Sequence, residues 1–78
     1  MSFDIVASVI TMQLRIRDLR EDADLTQEQI AGMIHCDQSL YSKYERGERA
    51  LPLDLAIQLA DFYRVSLDYL VGRSNKKK

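Results

Sequence analysis

The chain is poor in the residues that staple, interrupt or metallate small folds. It has one cysteine, Cys36, in 78 residues. That excludes an internal disulfide and a cysteine-rich zinc site, and makes a reducing cytoplasm the expected setting. It has one histidine, His35, directly beside that cysteine, so no paired metal-ligand spacing exists. No cofactor, no metal and no catalytic residue is expected. One proline and three glycines leave long stretches free to be helical. Long hydrophobic runs are also missing. The apolar stretch at residues 5–11 is far too short to span a membrane. No basic stretch precedes it and no small-residue cleavage site follows, so it does not read as a signal peptide.

Charge of one sign is nearly absent as an excess, since the formal net charge is −1. Its distribution is uneven. Residues 1–37 hold three arginines against seven acids, whereas residues 38–78 hold eight lysines and arginines against five acids. A chain of this kind can present a basic face despite an acidic balance.

What is present is helical periodicity. Ile5, Val9, Met12, Ile16 and Leu19 form one stripe at spacings of three and four, ending near residues 22–24. Thr26 with Gln29 three residues later makes a capping box, and Leu25 with Ile30 a hydrophobic staple. Ile30, Ala31, Met33 and Ile34 supply the inward face of that second helix. Asp37 is the next N-cap, Tyr41 and Tyr44 face inward, and Gly47 is a stop. Pro52 suits the start of a fourth helix carried by Leu53, Ala56, Ile57, Leu59, Ala60 and Tyr63. Ser66 caps a short fifth, and "RSNKKK" is a polar, basic, frayed tail. The expected fold is all-α: a compact five-helix domain without strands. Its second and third helices, joined by a turn of three or four residues, match a helix-turn-helix.

The run "LTQEQIAGMIHCDQSLYSKYERG", followed by "LAIQLADFYRVSLDYLVG", resembles the Cro and phage-repressor type of DNA-binding domain, the XRE family. The most specific parts are "LTQEQIA", "YERG" and "VSLDYL". The resemblance covers residues 13–72. Two positions depart from it: His35 and Arg64 stand where the family usually has glycine, which matters if those turns need positive φ.

Major-groove reading needs side chains at the start of an exposed helix that are long enough to reach base edges. The third helix, residues 37–45, has Gln38, Ser39, Ser42 and Lys43 on its outward face. The resemblance implies base reading by Gln38, Ser39 and Lys43, and phosphate contacts by Gln27, Ser42, Arg46 and Arg49. A plain solvated face is the blander alternative. Glu48 weighs against the two arginines beside it. Tyr41 and Tyr44 read as core, although the Tyr41 hydroxyl could instead reach the DNA backbone. Arg20 and Glu45 match a family charge pair that ties the first helix to the third.

The expected function is therefore a sequence-specific, double-stranded-DNA-binding transcriptional regulator of bacterial or phage type. It is expected to act as a homodimer, with regulation by abundance or a regulatory protein partner. The rival is a protein-interaction module, antitoxin-like or adaptor, on the same fold. Residues 1–12 read as an apolar N-terminal extension of the first helix, 13–72 as the helix-turn-helix domain and 73–78 as the tail. Phe3, Ile5, Val6, Val9 and Ile10 would each cost roughly 1.5–3 kcal/mol if left exposed rather than buried. Packing against a second copy of the chain is the favoured use of that segment. Covering the fourth or fifth helix of its own domain is one alternative, and a true start at Met12 with disordered residues before it is another.

Overall fold

A computed structural model describes residues 14–78. Five helices follow in order, α1 Ile16–Asp22, α2 Gln27–Met33, α3 Gln38–Arg46, α4 Leu53–Tyr63 and α5 Leu67–Leu70, with no strand among the described residues. The expected caps are all present. Thr26 and Gln29 close a reciprocal capping box on α2. The Asp37 carboxylate accepts from the Ser39 and Leu40 amides at the head of α3. The Ser66 hydroxyl accepts from the Tyr69 amide at the head of α5, 3.0 Å away. Pro52 sits one residue earlier than a first-turn proline, as the N-cap of α4.

Three expectations change. Among the described residues the first helix begins at Ile16, and the Arg15 amide just before it donates to the Leu70 carbonyl at 2.9 Å. The stripe Ile5, Val9 and Met12, and the proposed extension, lie outside the described residues. Met33, Leu53 and Ile57 point outward, at 50, 65 and 45% exposure. The tail is not frayed: the Arg15 guanidinium donates to the Tyr69 and Ser74 carbonyls and to Asn75 Oδ1, and lies over the Tyr69 ring. The Ser66 amide donates to the Lys77 carbonyl, closing the tail back on α5.

The core is assembled from single turns of every helix. Ile16, Ile30, Ala31, Ile34, Tyr41, Tyr44, Ala56, Leu59 and Leu70 form one buried cluster. Cys36 packs against its margin and is only partly buried. Burial is also what pushes the Cys36 thiol up, with the Asp37 carboxylate adding to it, so the thiol is not activated.

Four tight corners let such short helices fold back on one another. At each, the last carbonyls accept from the two amides beyond the helix, as at Glu48 N–H to Lys43 O (2.9 Å) and Val65 N–H to Ala60 O (3.0 Å). This needs a left-handed residue. Gly47 supplies one (φ 75°), but Asp24 (57°), His35 (55°) and Arg64 (58°) supply the other three. The two departures from the family pattern are thus real departures from backbone preference. The left-handed region costs an L-residue roughly 1–2 kcal/mol.

A buried ion pair fixes α3 against α1. Arg20 Nε donates to Glu45 Oε2 at 2.7 Å, and Nη2 donates to Oε1 at 3.1 Å. Arg20 Nη1 donates to the Leu25 carbonyl at 2.9 Å, and Gln27 Nε2 donates to Glu45 Oε1 at 2.9 Å. The two charged side chains are 12 and 3% exposed. Burial pushes the Glu45 carboxyl up, but the bonds from Arg20 and Gln27 outweigh it and hold the group below its ordinary value. The bond to Glu45 likewise raises Arg20. The hydroxyls of Tyr41 and Tyr63 are buried nearby without a hydrogen-bond partner. Burial pushes both phenols up, Tyr63 to about 12, and the adjacent Glu45 carboxylate adds to it.

Two stability outcomes follow. His35→Gly and Arg64→Gly should each stabilise the domain by about 0.5–1 kcal/mol, since relief at the corner exceeds the entropy glycine adds to the unfolded chain. The gain should be larger for Arg64, because histidine tolerates this region better. Thermal melts of the two variants check it. Glu45→Ala should cost about 3 kcal/mol, the scale of a buried pair that loses one partner. Because the folded chain lowers the Glu45 pKa, the linked stability is complete above the unfolded carboxylate range. It is lost as pH falls through the folded value. Denaturant titrations of wild type and Glu45→Ala should therefore converge as the pH is lowered.

Candidate nucleic-acid interface

Helix α3 divides cleanly. Tyr41 and Tyr44 are anchored in the core, at 0 and 5% exposure, so the alternative role for the Tyr41 hydroxyl on a DNA backbone is excluded. The opposite side is polar. Gln38, Ser39, Ser42, Lys43 and Arg46 line one shallow groove together with Gln27 from the start of α2 and with Asp37. Six of the seven residues singled out from the sequence for contact are thus on one surface, formed where α2 and α3 meet.

Their states differ. Gln38 is exposed and Lys43 half-buried, and among the described residues neither is tied to another side chain. The Ser39 hydroxyl donates to Asp37 Oδ2 at 2.6 Å, so it retains only acceptor capacity. That bond is the main cause holding the Asp37 carboxyl below its ordinary value, helped by the Leu40 and Ser39 amides. Gln27 is half-buried and its amide nitrogen is engaged by Glu45. The carboxamide that faces the groove is therefore held by the same acid that anchors α3. Arg46 donates to both Glu48 oxygens, at 2.6 and 3.2 Å, and to the Ser42 hydroxyl.

Arg49 is the outlier. It lies on a different, larger concavity, about 1060 Å³, whose apolar walls include Leu14, Leu51, Leu53, Leu67 and Val71. Arg17, Arg46 and Arg73 also border it, with Asp18, Glu21 and Asp68 among them. Two participants were missed from sequence. Asp37 was assigned only a cap, although a carboxylate two residues before Ser39 could reach the same face. The pairing of Glu48 with Arg46 was weighed only as a local charge. Its two-residue spacing across Gly47 becomes a contact only once the left-handed corner bends the chain.

Among the described residues no cluster of three or more His, Cys, Asp or Glu side chains could hold a metal ion. No described helix is long and apolar enough to cross a membrane.

Residues 16–70 match the helix-turn-helix family. A transcriptional regulator of Bacillus subtilis, the uncharacterized YobD, is 43% identical over 58 residues, 74% of this chain and 52% of its own length. The cryptic phage CTXphi transcriptional repressor RstR of Vibrio cholerae is 40% identical over 60 residues, 77% of this chain and 54% of its own. The transcriptional regulator ImmR of Bacillus subtilis is 33% identical over 64 residues, 82% of this chain and 50% of its own. The chain thus spans about half the length of these relatives, and no solved structure matches it. The capping box on α2, the Asp37 cap of α3 and a match from α1 to α5 agree: the chain belongs to the Cro and phage-repressor (XRE) type of helix-turn-helix family.

Proposed function

We propose that the chain is a sequence-specific, double-stranded-DNA-binding transcriptional regulator that reads the major groove with α3. It does so without cofactor or catalysis. The observation that carries this reading is the groove itself. One helix is bolted to the core by two tyrosines and a buried ion pair, and its outer side presents Gln38 and Lys43 beside Gln27, Ser42 and Arg46. The regulators and repressors of transcription among its relatives support it.

Roles follow from chemistry. The Gln38 carboxamide matches the donor and acceptor of adenine N7 and N6. Lys43 offers a donor to guanine or to phosphate. Ser39, left with an acceptor, suits a base amino group. Gln27, Ser42 and Arg46 flank the reader and suit the backbone. Arg49, on the other concavity, is removed from this set. Regulation would come from dimerisation, abundance or a partner protein.

Two copies would double the readout over half-sites about one helical turn apart. Leu53 and Ile57, one turn apart on α4 and both exposed, support a second copy as the occupant of that face. Leu53→Glu is expected to shift the chain from dimer to monomer in sedimentation equilibrium while leaving its melting temperature near wild type. A variant that remains dimeric removes α4 from the interface.

The reading itself is tested by base preference. Gln38→Ala should lose about 1–3 kcal/mol of discrimination at one base pair while keeping non-specific affinity nearly intact. Selection of bound duplexes from a random pool, with each protein, checks it. Identical selected sequences would show that α3 is not the reader. Weak salt dependence of binding would instead favour a protein-interaction module.

A further inference from the structure

We propose that Glu48 is an internal stand-in for a DNA phosphate: it holds Arg46 and Ser42 closed in the free protein, and DNA must displace it to bind. The inference rests on the DNA-binding reading of the α3 groove and names a device that tunes it.

The geometry is that of anion recognition. Arg46 presents Nε and Nη2 to the two Glu48 oxygens at 2.6 and 3.2 Å, the parallel fork in which guanidinium groups also take phosphate. The remaining arm, Nη1, donates to the Ser42 hydroxyl. Ser42 and Arg46 both line the α3 groove, whereas Glu48 lies beyond Gly47 at its edge. The Arg46 fork is therefore taken by the chain itself, and its third arm holds the Ser42 hydroxyl oxygen.

Glu48 cannot simply drift away. Its amide donates to the Lys43 carbonyl at 2.9 Å, and the left-handed Gly47 (φ 75°) turns the chain so that the carboxylate returns toward α3. The pair is nevertheless half exposed, at 51 and 53%, so opening it is easy. The Arg46 bond holds the Glu48 carboxyl below its ordinary value, with Lys43 contributing, so the acid stays charged at neutral pH. An incoming phosphate has to take the same guanidinium donors. Once displaced, the Glu48 carboxylate remains tethered beside that phosphate and repels it. Glu48 thus lowers affinity for any duplex and offsets about one phosphate contact.

Glu48→Gln keeps size and removes the charge. Fluorescence anisotropy with a fixed 20-base-pair duplex of arbitrary sequence, across a salt series, reads the effect. The variant should bind about two- to fivefold tighter at low salt, the scale of one exposed pair. Its log affinity against log salt should steepen by up to about 0.9, one additional phosphate neutralised. Its melting temperature should stay near wild type. In an Arg46→Ala background the same substitution should give little gain.

Equal or weaker binding by Glu48→Gln would overturn the proposal, because Glu48 would then be positioning Arg46 for the backbone. A full gain in the Arg46→Ala background would also overturn it, since simple removal of a negative charge would then suffice. If wild type binds no duplex, the DNA reading fails and this proposal fails with it. If wild type binds and Glu48→Gln gains nothing, this proposal alone fails.

Discussion

The buried pair between Arg20 and Glu45 is the constraint on which the rest of the domain depends. Helices α1, α2 and α3 have seven, seven and nine residues, each too short to persist alone in water. Apolar contact holds them together, but apolar contact is non-directional and tolerates rotation of a helix about its axis. The bidentate pair does not. Arg20 from α1 fixes the Glu45 carboxylate, Glu45 fixes the last turn of α3, and the Gln27 carboxamide at the head of α2 completes the set. Its placement is costly by nature, since charges withdrawn from water must be matched by good geometry. Here Glu45 receives three hydrogen bonds, which offset its burial.

That arrangement makes one helix serve two purposes. The side of α3 bearing Tyr41 and Tyr44 belongs to the core, and the side bearing Gln38, Ser42 and Lys43 belongs to the groove. Rotating α3 to suit one would spoil the other. In the proposed complex, rigidity of this helix is what allows a few side chains to discriminate bases without reordering on binding. The groove also carries its own negative charge. Asp37 caps the helix within it and Glu48 closes Arg46 at its edge. In the proposed complex both acids would oppose the polyanion, and so restrain sequence-independent attraction relative to base contact.

Most of the fold was legible because capping chemistry is local. Thr26 with Gln29, Asp37, Gly47 and Ser66 each mark a helix end through side-chain or backbone geometry within four residues. What escaped was non-local. Met33, Leu53 and Ile57 lie at helical spacing from core residues, and only the assembled domain decides which apolar positions exceed the core's capacity. The tail looked featureless because its partner, Arg15, is some sixty residues away in sequence. Periodicity continues upstream of Ile16, but Leu14 and Arg15 lie outside the helix and the Arg15 amide turns to Leu70, which no spacing in the sequence shows. The candidate site was named through likeness to a family in which the third helix is expected to be the reader. Arg49 lies on the other concavity because a loop residue's direction depends on the corner that launches it.

Amide chemical shifts, followed while a duplex selected from a random pool is titrated into isotopically labelled protein, test the central claim most directly. The expected result is perturbation concentrated at Gln27 and along residues 37–46, with the buried Tyr41 and Tyr44 side chains keeping their environment. Perturbation concentrated instead around Leu53, Leu67 and Val71, with α3 unmoved, would contradict it and place the nucleic acid on the apolar concavity.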